Sequence, residues 1–492
     1  MRVRPSRRIV GMGVLLLLLT ALLWVPEGAP SLGPQGASSP FVWGQDALWD
    51  ALERRWDAAR ARPCLESGAA FEASLGDLRA QLGELEASAR PSDDPRFERL
   101  EEALFEAALS AGTCPARMPP LLEELARLRR IVKDQSGGWA LEARAPRDRL
   151  YRLLYARRAA LEELLLQLPG ADARASALEL GFDEPSEAPS ILVQGIRLHS
   201  GDVLASRGGA PTSALIARGN DYPGNFSHIA LLHVSEQGEA SVIESHIESG
   251  VGISSVERYL EDTKLRIMVL RLRADHPALA LDPRLPHHAA SDALENARAG
   301  HIPYDFAMDF EDPSKLFCSE VASSAYAIHG VELWRNLSSL SGPGLRRWLG
   351  ALGVRHFETM SPSDIEYDPQ LRVVAEWRDP EALFSAHLDD AILDVGLEQA
   401  EAGVALEHSS LRLPLARLAK AYSVILEQLG RLGPIPEGMS ATSALKVEAL
   451  RARHSRIRAR LEAAAERYRR VQGRRPPYWT LVRLAREATA GG

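Results

Sequence analysis

A chain of 492 residues with 46% hydrophobic and 25% charged residues has a globular composition and room for about three domains. Its formal net charge of −8 argues against a protein built mainly to coat nucleic acid, and no nucleic-acid partner is expected. The charge is too small to specify any other partner.

The N-terminus opens with "MRVRPSRR", four arginines in eight residues, and runs into an apolar stretch from Ile9 to Val25. A basic segment followed by an apolar run is an export signal. The run is short for a membrane span, and "PEGAPSLGPQGASSP" follows as a flexible linker without a clear A-x-A cleavage site. Either a cleaved signal or an uncleaved anchor fits. Both put the rest of the chain in the cell envelope, periplasm or exterior, with membrane contact through this segment in the anchored case. Residues 1–40 are assigned to signal or anchor plus linker.

From residue 41 to 185 the pattern is helical. "WDALERRWDAAR", "FEASLGDLRAQLGELEASA", "FERLEEALFEAAL", "LLEELARLRRIV" and "RLYRLLYARRAALEELLLQL" carry apolar residues at three- and four-residue spacing, separated by Pro and Gly clusters. Cys64 and Cys114 lie at breaks between these stretches. In an oxidising compartment a bridge between them would leave Cys318 unpaired.

Near Ser190 the period changes. "SILVQGIRL", "DVLAS", "HIALLHV", "ASVIES", "LRIMVLRL" and "LRVVAEW" read as strands, and "PHHAASDALENARAG" and "CSEVASSAYAIHG" as helices stopped by Gly300 and Gly330. The segment 186–378 is therefore an α+β domain. From 379 to 492 the chain returns to helix. An arginine-rich helix there, with interleaved Glu, reads as a solvated face.

Three features stand in order within the α+β segment. "SGDVLAS" carries Gly201 and Asp202, "FSHIALLHV…ASVIESH" carries His228, Glu244 and His246, and "HIPYDFAMDFEDPSKLFCSE" carries Tyr304, Asp305, Cys318 and Glu320. A free cysteine is more often a packing residue than a nucleophile. A helix N-terminus and a nearby imidazolium would both stabilise a Cys318 thiolate. His228 would be the base, and alternation puts Val242, Glu244 and His246 on one strand face, so Glu244 or His246 could orient it. Taken alone, Asp202 reads as a turn residue, Asp305 as a turn or buried acceptor and Glu320 as a helix-dipole partner. His233 has the opposite parity to His228. His287, His288 and His301 lack the spacing of a zinc site and read as surface, so no metal or cofactor is expected. Asn225 fits a glycosylation sequon but reads as the lead-in to the strand.

Together the pieces resemble the NlpC-type cysteine hydrolases. Pro303-Tyr304 stands fourteen residues before Cys318-Ser319, Gly201-Asp202-Val203-Leu204 matches the Gly-Asp strand, and Ser227-His228-Ile229-Ala230 with Val242-Ile243-Glu244-Ser245 matches the His strand and its follower. The cysteine segment comes last, as in the circularly permuted papain-like amidases of the YaeF/YiiX type, which share the "YDF…CSE" wording and a "SPSDI" segment like Ser361 to Ile365. The resemblance covers Ser190 to Trp377. It implies a permuted papain-like domain flanked by helical regions, with Cys318 as nucleophile, His228 as general base and acid, Glu244 as the orienting residue and Tyr304 lining the site. Asp202, Asp305 and His246 would be substrate-site or supporting residues. The implied reaction is acyl transfer to water through a thiol acyl-enzyme, on an amide or ester such as a peptidoglycan peptide or an acyl lipid. "FCSEV" departs from the "NCEHF"-like segment of a related acyltransferase branch, which favours hydrolysis. The non-enzymatic alternative is a degenerate papain-like module serving as an envelope scaffold or adaptor.

Overall fold

The computed structural model describes residues 23–25, 38–41, 47–60, 68–112, 114, 117–168, 170–181, 183–262 and 264–490. Most of the apolar N-terminal run, and Cys64, lie outside the described residues. Among the described residues no helix is long and apolar enough to cross a membrane.

The N-terminal helices are α1 (Ala47–Arg60), α2 (Gly68–Glu86), α3 (Arg96–Ala111), α4 (Met118–Ser136), α5 (Arg144–Gln167) and the short α6 (Gly170–Ala175). In α2 the buried residues are Phe71, Leu75, Leu78, Leu82 and Leu85, the four-three alternation of one helix face. They share a core with Leu100 and Leu104 of α3, Leu121, Leu125 and Leu128 of α4, and Leu150, Leu154 and Leu161 of α5. Cys114 is disulfide-bonded and Cys318 is free.

The middle of the chain holds β1 (Leu178–Leu180), β2 (Ser190–Val193), β3 (Ile196–His199), β4 (Val203–Gly208), α7 (Pro211–Arg218), β5 (His228–Val234), β6 (Ala240–His246), β7 (Gly250–Ser254), α8 (Val256–Glu261), β8 (Lys264–Leu272), α9 (Leu285–Ala299), α10 (Cys318–Ile328), β9 (Ser338–Ser339), α11 (Pro343–Leu352), β10 (Glu358–Thr359) and β11 (Leu371–Trp377). Seven strands form one antiparallel sheet in the order β1-β11-β8-β4-β5-β6-β7. Alternation divides its side chains between two faces. Ile229, Leu231, Ile243, Met268 and Leu270 pack under α9 and α10. Ala230, Leu232, Val242 and Val269 pack under α8 and the β2–β3 hairpin. The fold is α+β, with helices on both flanks of the sheet.

Two strands of the seven-stranded sheet depart from the sequence expectation, and the two-residue strands β9 and β10 carry no sequence signal. β1 lies inside the stretch read as helical, and β7 went unread because "GVGIS" has too little apolar alternation to stand out. "SILVQGIRL" folds as a separate hairpin, turned by Gln194 (φ 50°) and Gly195 (φ 84°), the paired left-handed conformation of a two-residue hairpin loop. Gly330 ends α10 in the expected left-handed conformation at φ 77°. Gly300 ends α9 differently, in extended backbone.

The C-terminal helices are α12 (Pro380–Glu401), α13 (Leu413–Gln428), α14 (Ala441–Gln472) and α15 (Tyr478–Ala490). Asp379 caps α12 by accepting the N–H groups of Glu381 and Ala382 at 2.9 and 3.0 Å. On the arginine-rich α14, Arg458 pairs with Glu462 and Arg469 with Glu466, and Arg458 also reaches Asp389 of α12.

Buried ion pairs join the N-terminal helices to the sheet. Arg129 of α4 reaches Glu376 of β11 and Glu179 of β1, each at 2.8 Å. Arg158 of α5 pairs with Glu366 at 2.5 Å and with Glu376. Glu162 of α5 meets Arg266 of β8 at 2.6 Å and His387 of α12 at 2.9 Å. Lys133 donates to the carbonyls of Glu366 and Asp368 at 2.6 and 2.8 Å, and burial pulls its ammonium down to about 7. Charges removed from water persist only when paired in this way.

Candidate active site

Cys318 is the first residue of α10, after Phe317 in extended backbone. Glu320 reaches back to accept the Phe317 N–H at 2.7 Å, one half of a capping box. Burial, opposed by that N–H and reinforced by Asp305, Asp309 and Asp312, pushes the Glu320 carboxyl up to about 8. The chain leading into the helix is pinned twice: Leu316 donates to the Pro303 carbonyl at 3.0 Å, and its own carbonyl accepts from Ser245 Oγ at 2.6 Å. Pro303 and Tyr304 are in turn laid along the sheet edge, where Val251 N–H meets the Ile302 carbonyl at 2.9 Å. That approach requires Gly250. Its φ is +70°, and a Cβ there would lie 2.1 Å from the Ile302 oxygen.

His228 begins β5. Its Nε2 lies 2.8 Å from Glu244 Oε2 on the neighbouring strand. The other carboxylate oxygen accepts from Ser254 Oγ at 3.1 Å and stands 3.3 Å from His246 Nε2. The two imidazoles stack with centroids 5.4 Å apart. Burial would raise the Glu244 carboxyl, but the hydrogen bonds from His228 and His246 outweigh it and hold the group well below the ordinary carboxylate range. Burial, with Lys264 nearby and against the pull of Glu244, lowers the His228 imidazole below its usual value, whereas the Glu244 hydrogen bond raises His246. The "SPSDI" segment fixes the lead-in to β5: Ser363 Oγ accepts the Phe226 N–H at 3.0 Å and donates to its carbonyl at 2.8 Å.

The thiol differs from the expectation drawn from its helix-start position. Cys318 is only 4% exposed, and burial pushes its thiol up to about 11 despite the Ile229 N–H that it faces. Desolvation of a thiolate outweighs the helix N-terminus here. Ile229 is the residue after His228, so the thiol faces the start of the strand that His228 opens. Tyr304 lies against both Cys318 and Phe306: burial, then the nearby thiol, holds its phenol well above the ordinary range, and its ring meets Phe306 edge-on at 5.1 Å.

Asp202 and the other histidines separate from this centre, whereas Asp305 stays beside Tyr304 and Glu320. Asp202 is buried at the far end of β4, bound by Arg271 Nε and Nη2 at 2.8 and 2.9 Å and accepting the His199 N–H. Ser206, the β4 partner of His228, is four residues away, roughly 13 Å along a strand. A substrate contact is therefore replaced by a supporting role through Arg271. Asp305 is a buried acceptor for the Ala307 and Asp309 N–H groups. His233 stacks on His287 under α9, His288 pairs with Asp282, and His301 pairs with Glu437. Asn225 is 7% exposed, which leaves little room for a glycan. Ser254 and Lys264 went unread: Ser254 sits on β7, and no motif marked Lys264.

His228, Glu244 and His246 also hold three ligand atoms within 4.8 Å of one another, a donor set that suits zinc. The sequence reading of no metal site did not consider this trio.

Residues 197–375 match the model of the permuted papain-like amidase enzymes, YaeF/YiiX, C92 family. Over those residues the chain is similar to that family. No curated protein and no solved structure matches the chain. The matched segment contains Cys318, His228, Glu244 and Tyr304, in the permuted amidase order. It ends before α12 and begins after β1, so the helices on either side lie outside the match.

Proposed function

We propose that Cys318, His228 and Glu244 are the catalytic set of an exported cysteine hydrolase that cleaves an amide or ester through a thioester intermediate. The observation that carries this reading is the 2.8 Å contact between His228 Nε2 and Glu244, with the thiol of Cys318, at a helix start, facing the N–H of the next residue, Ile229. An ionised Glu244 accepts the proton-bearing Nε2, which leaves Nδ1 as the basic nitrogen. Because burial keeps both thiol and imidazole neutral, His228 takes the Cys318 proton as Sγ attacks the carbonyl carbon. The same proton then goes to the leaving amine or alcohol. The Cys318 N–H, at the open end of α10, serves as an oxyanion donor. Water, deprotonated by His228, releases the acid and restores the thiol. The arginine-led apolar run at residues 9–25 supports export.

The test is mass spectrometry of the full chain after brief exposure to an acyl ester or amide substrate. An acyl adduct on Cys318 that vanishes in Cys318→Ala and does not form in His228→Ala is the expected result. No turnover and no adduct, on peptide or lipid substrates, would make the domain an inert module. Reporter fusions to the first forty residues test export.

A further inference from the structure

A cavity of about 530 Å³ lies between the amidase domain and the C-terminal helices, within the roughly 300–1,000 Å³ of small-ligand sites. Tyr304 and Ile247 form one wall, and Leu415, Ala419, Met439 and Leu445 the other. Both residues of the first wall adjoin the catalytic centre. Tyr304 follows Pro303, whose carbonyl holds the chain two residues before Cys318, and Ile247 follows His246. The lining is mainly aliphatic, and Arg412 and Glu448 pair with each other among its charged groups at 2.7 Å.

The outer face of α13 is unusual. Leu411, just ahead of the helix, then Leu415, Leu418, Tyr422 and Ile425, and finally Leu429 just past its end, recur at four- and three-residue spacing. Each is more than half exposed. Such a stripe on a water-facing helix marks a surface that is covered in use. Leu415 belongs to both the stripe and the cavity lining, so the two are continuous. The last residue of the apolar N-terminal run meets this helix: Arg417 of α13 donates to the carbonyl of Val25. A run of apolar residues behind four arginines suits a lipid boundary. A protein partner would cover the stripe but leave the apolar cavity beside Tyr304 without a purpose.

We propose that the cavity takes one long acyl chain of a membrane lipid while α13 lies on the lipid surface, so that the carbonyl presented to Cys318 is that of an acyl ester or amide. The proposal rests on the hydrolase reading and adds the substrate class. Sγ bonds to the acyl carbon, the C–O or C–N bond breaks, and the lipid alcohol or amine leaves with the proton passed through His228. Water then converts the thioester to the free fatty acid and returns a proton to the thiol.

The full chain, in one detergent throughout, is assayed on acetyl, butyryl, hexanoyl and octanoyl p-nitrophenyl esters. Burial of each added methylene should raise kcat/KM about fourfold until the cavity is full. Ala419→Trp, which fills the cavity, should flatten that series and weaken binding of the fluorescent fatty acid cis-parinaric acid. Turnover that is independent of chain length, with parinaric acid unbound, overturns the acyl site while leaving the hydrolase intact. Absent turnover with parinaric acid bound, and released by Ala419→Trp, keeps the acyl site and removes the hydrolase. For the surface, the double variant Leu418→Glu with Ile425→Glu should lower turnover of phosphatidylethanolamine in vesicles relative to hexanoyl ester in solution. An unchanged ratio, or a wild-type dimer that the variant splits, overturns the lipid assignment of the stripe.

Discussion

Glu244 binds His228 through Nε2 at 2.8 Å, and the same carboxylate stands 3.3 Å from His246 through its other oxygen. Only the first contact reaches the imidazole placed next to the thiol's partner residue Ile229. Glu244→Gln keeps the shape and removes the charge that selects the tautomer. Its kcat/KM should fall by about 10²–10⁴, the span of general-base contributions. His246→Ala should cost far less. Equal losses, read from steady-state kinetics, would make the two residues joint orienters.

The pH profile follows from His228. Burial lowers its imidazole below the ordinary value, so the neutral base persists into mildly acidic solution. The kcat/KM should rise with pH through an apparent pKa below the usual 6.5 of histidine and then stay level through neutrality. A fall on the alkaline side near neutrality would instead report a thiolate–imidazolium pair.

The buried thiol has its own signature. With its thiol pushed up to about 11, Cys318 should react with iodoacetamide at neutral pH more slowly than an ordinary cysteine, and the rate should climb steadily toward strongly alkaline pH. Peptide mass mapping of the native chain measures it. Fast alkylation at neutral pH would show a thiol that opens to solvent.

Zinc should inhibit. His228, Glu244 and His246 offer three donor atoms within 4.8 Å, and a metal there would occupy the ring nitrogen that holds the tautomer. Added zinc should abolish turnover and EDTA should restore it, while EDTA alone should leave the rate unchanged. Loss of activity on chelation alone would point to a metallohydrolase.

Arg158 is 1% exposed and pairs with Glu366 and Glu376 across the boundary between α5 and the sheet. Arg158→Met leaves part of that negative charge uncompensated and should cost about 3–5 kcal/mol, as breaking a buried pair does. Urea denaturation monitored by tryptophan fluorescence would read it. A change under about 1 kcal/mol would place the pair among those that behave like surface bridges.

The Cys318 segment, the His228 strand and Glu244 were legible in sequence because each combines a local signal with a polar residue. Cys318 opens a helix, His228 opens an apolar strand, and Glu244 keeps strand parity with Val242. Burial could not be read in this way. The thiol's raised pKa arises from burial, against strands such as β5 that lie far along the chain. The buried arginines looked like an ordinary polar helix face, since "YARRAALEEL" has the same composition whether its charges meet water or Glu376. β1 and β7 escaped because three residues, or a Gly-rich five, carry too little periodicity. The stripe of α13 reads in sequence only as helix, for apolar periodicity does not say which side of a helix is covered.

The docking of β1 onto β11 has a consequence for how the amidase domain can exist. Gly181, just past β1, donates to the Val374 carbonyl at 2.8 Å, and Leu178 to Leu180 pair along Trp377 to Ala375. A protein trimmed to the matched residues 197–375 would keep every proposed catalytic group. It would also bare the β11 edge and leave Glu366 without Arg158 and Arg266 without Glu162. Such a fragment would stack edge to edge with its own copies. The segments before and after the domain thus close its sheet edge and neutralise its buried charges.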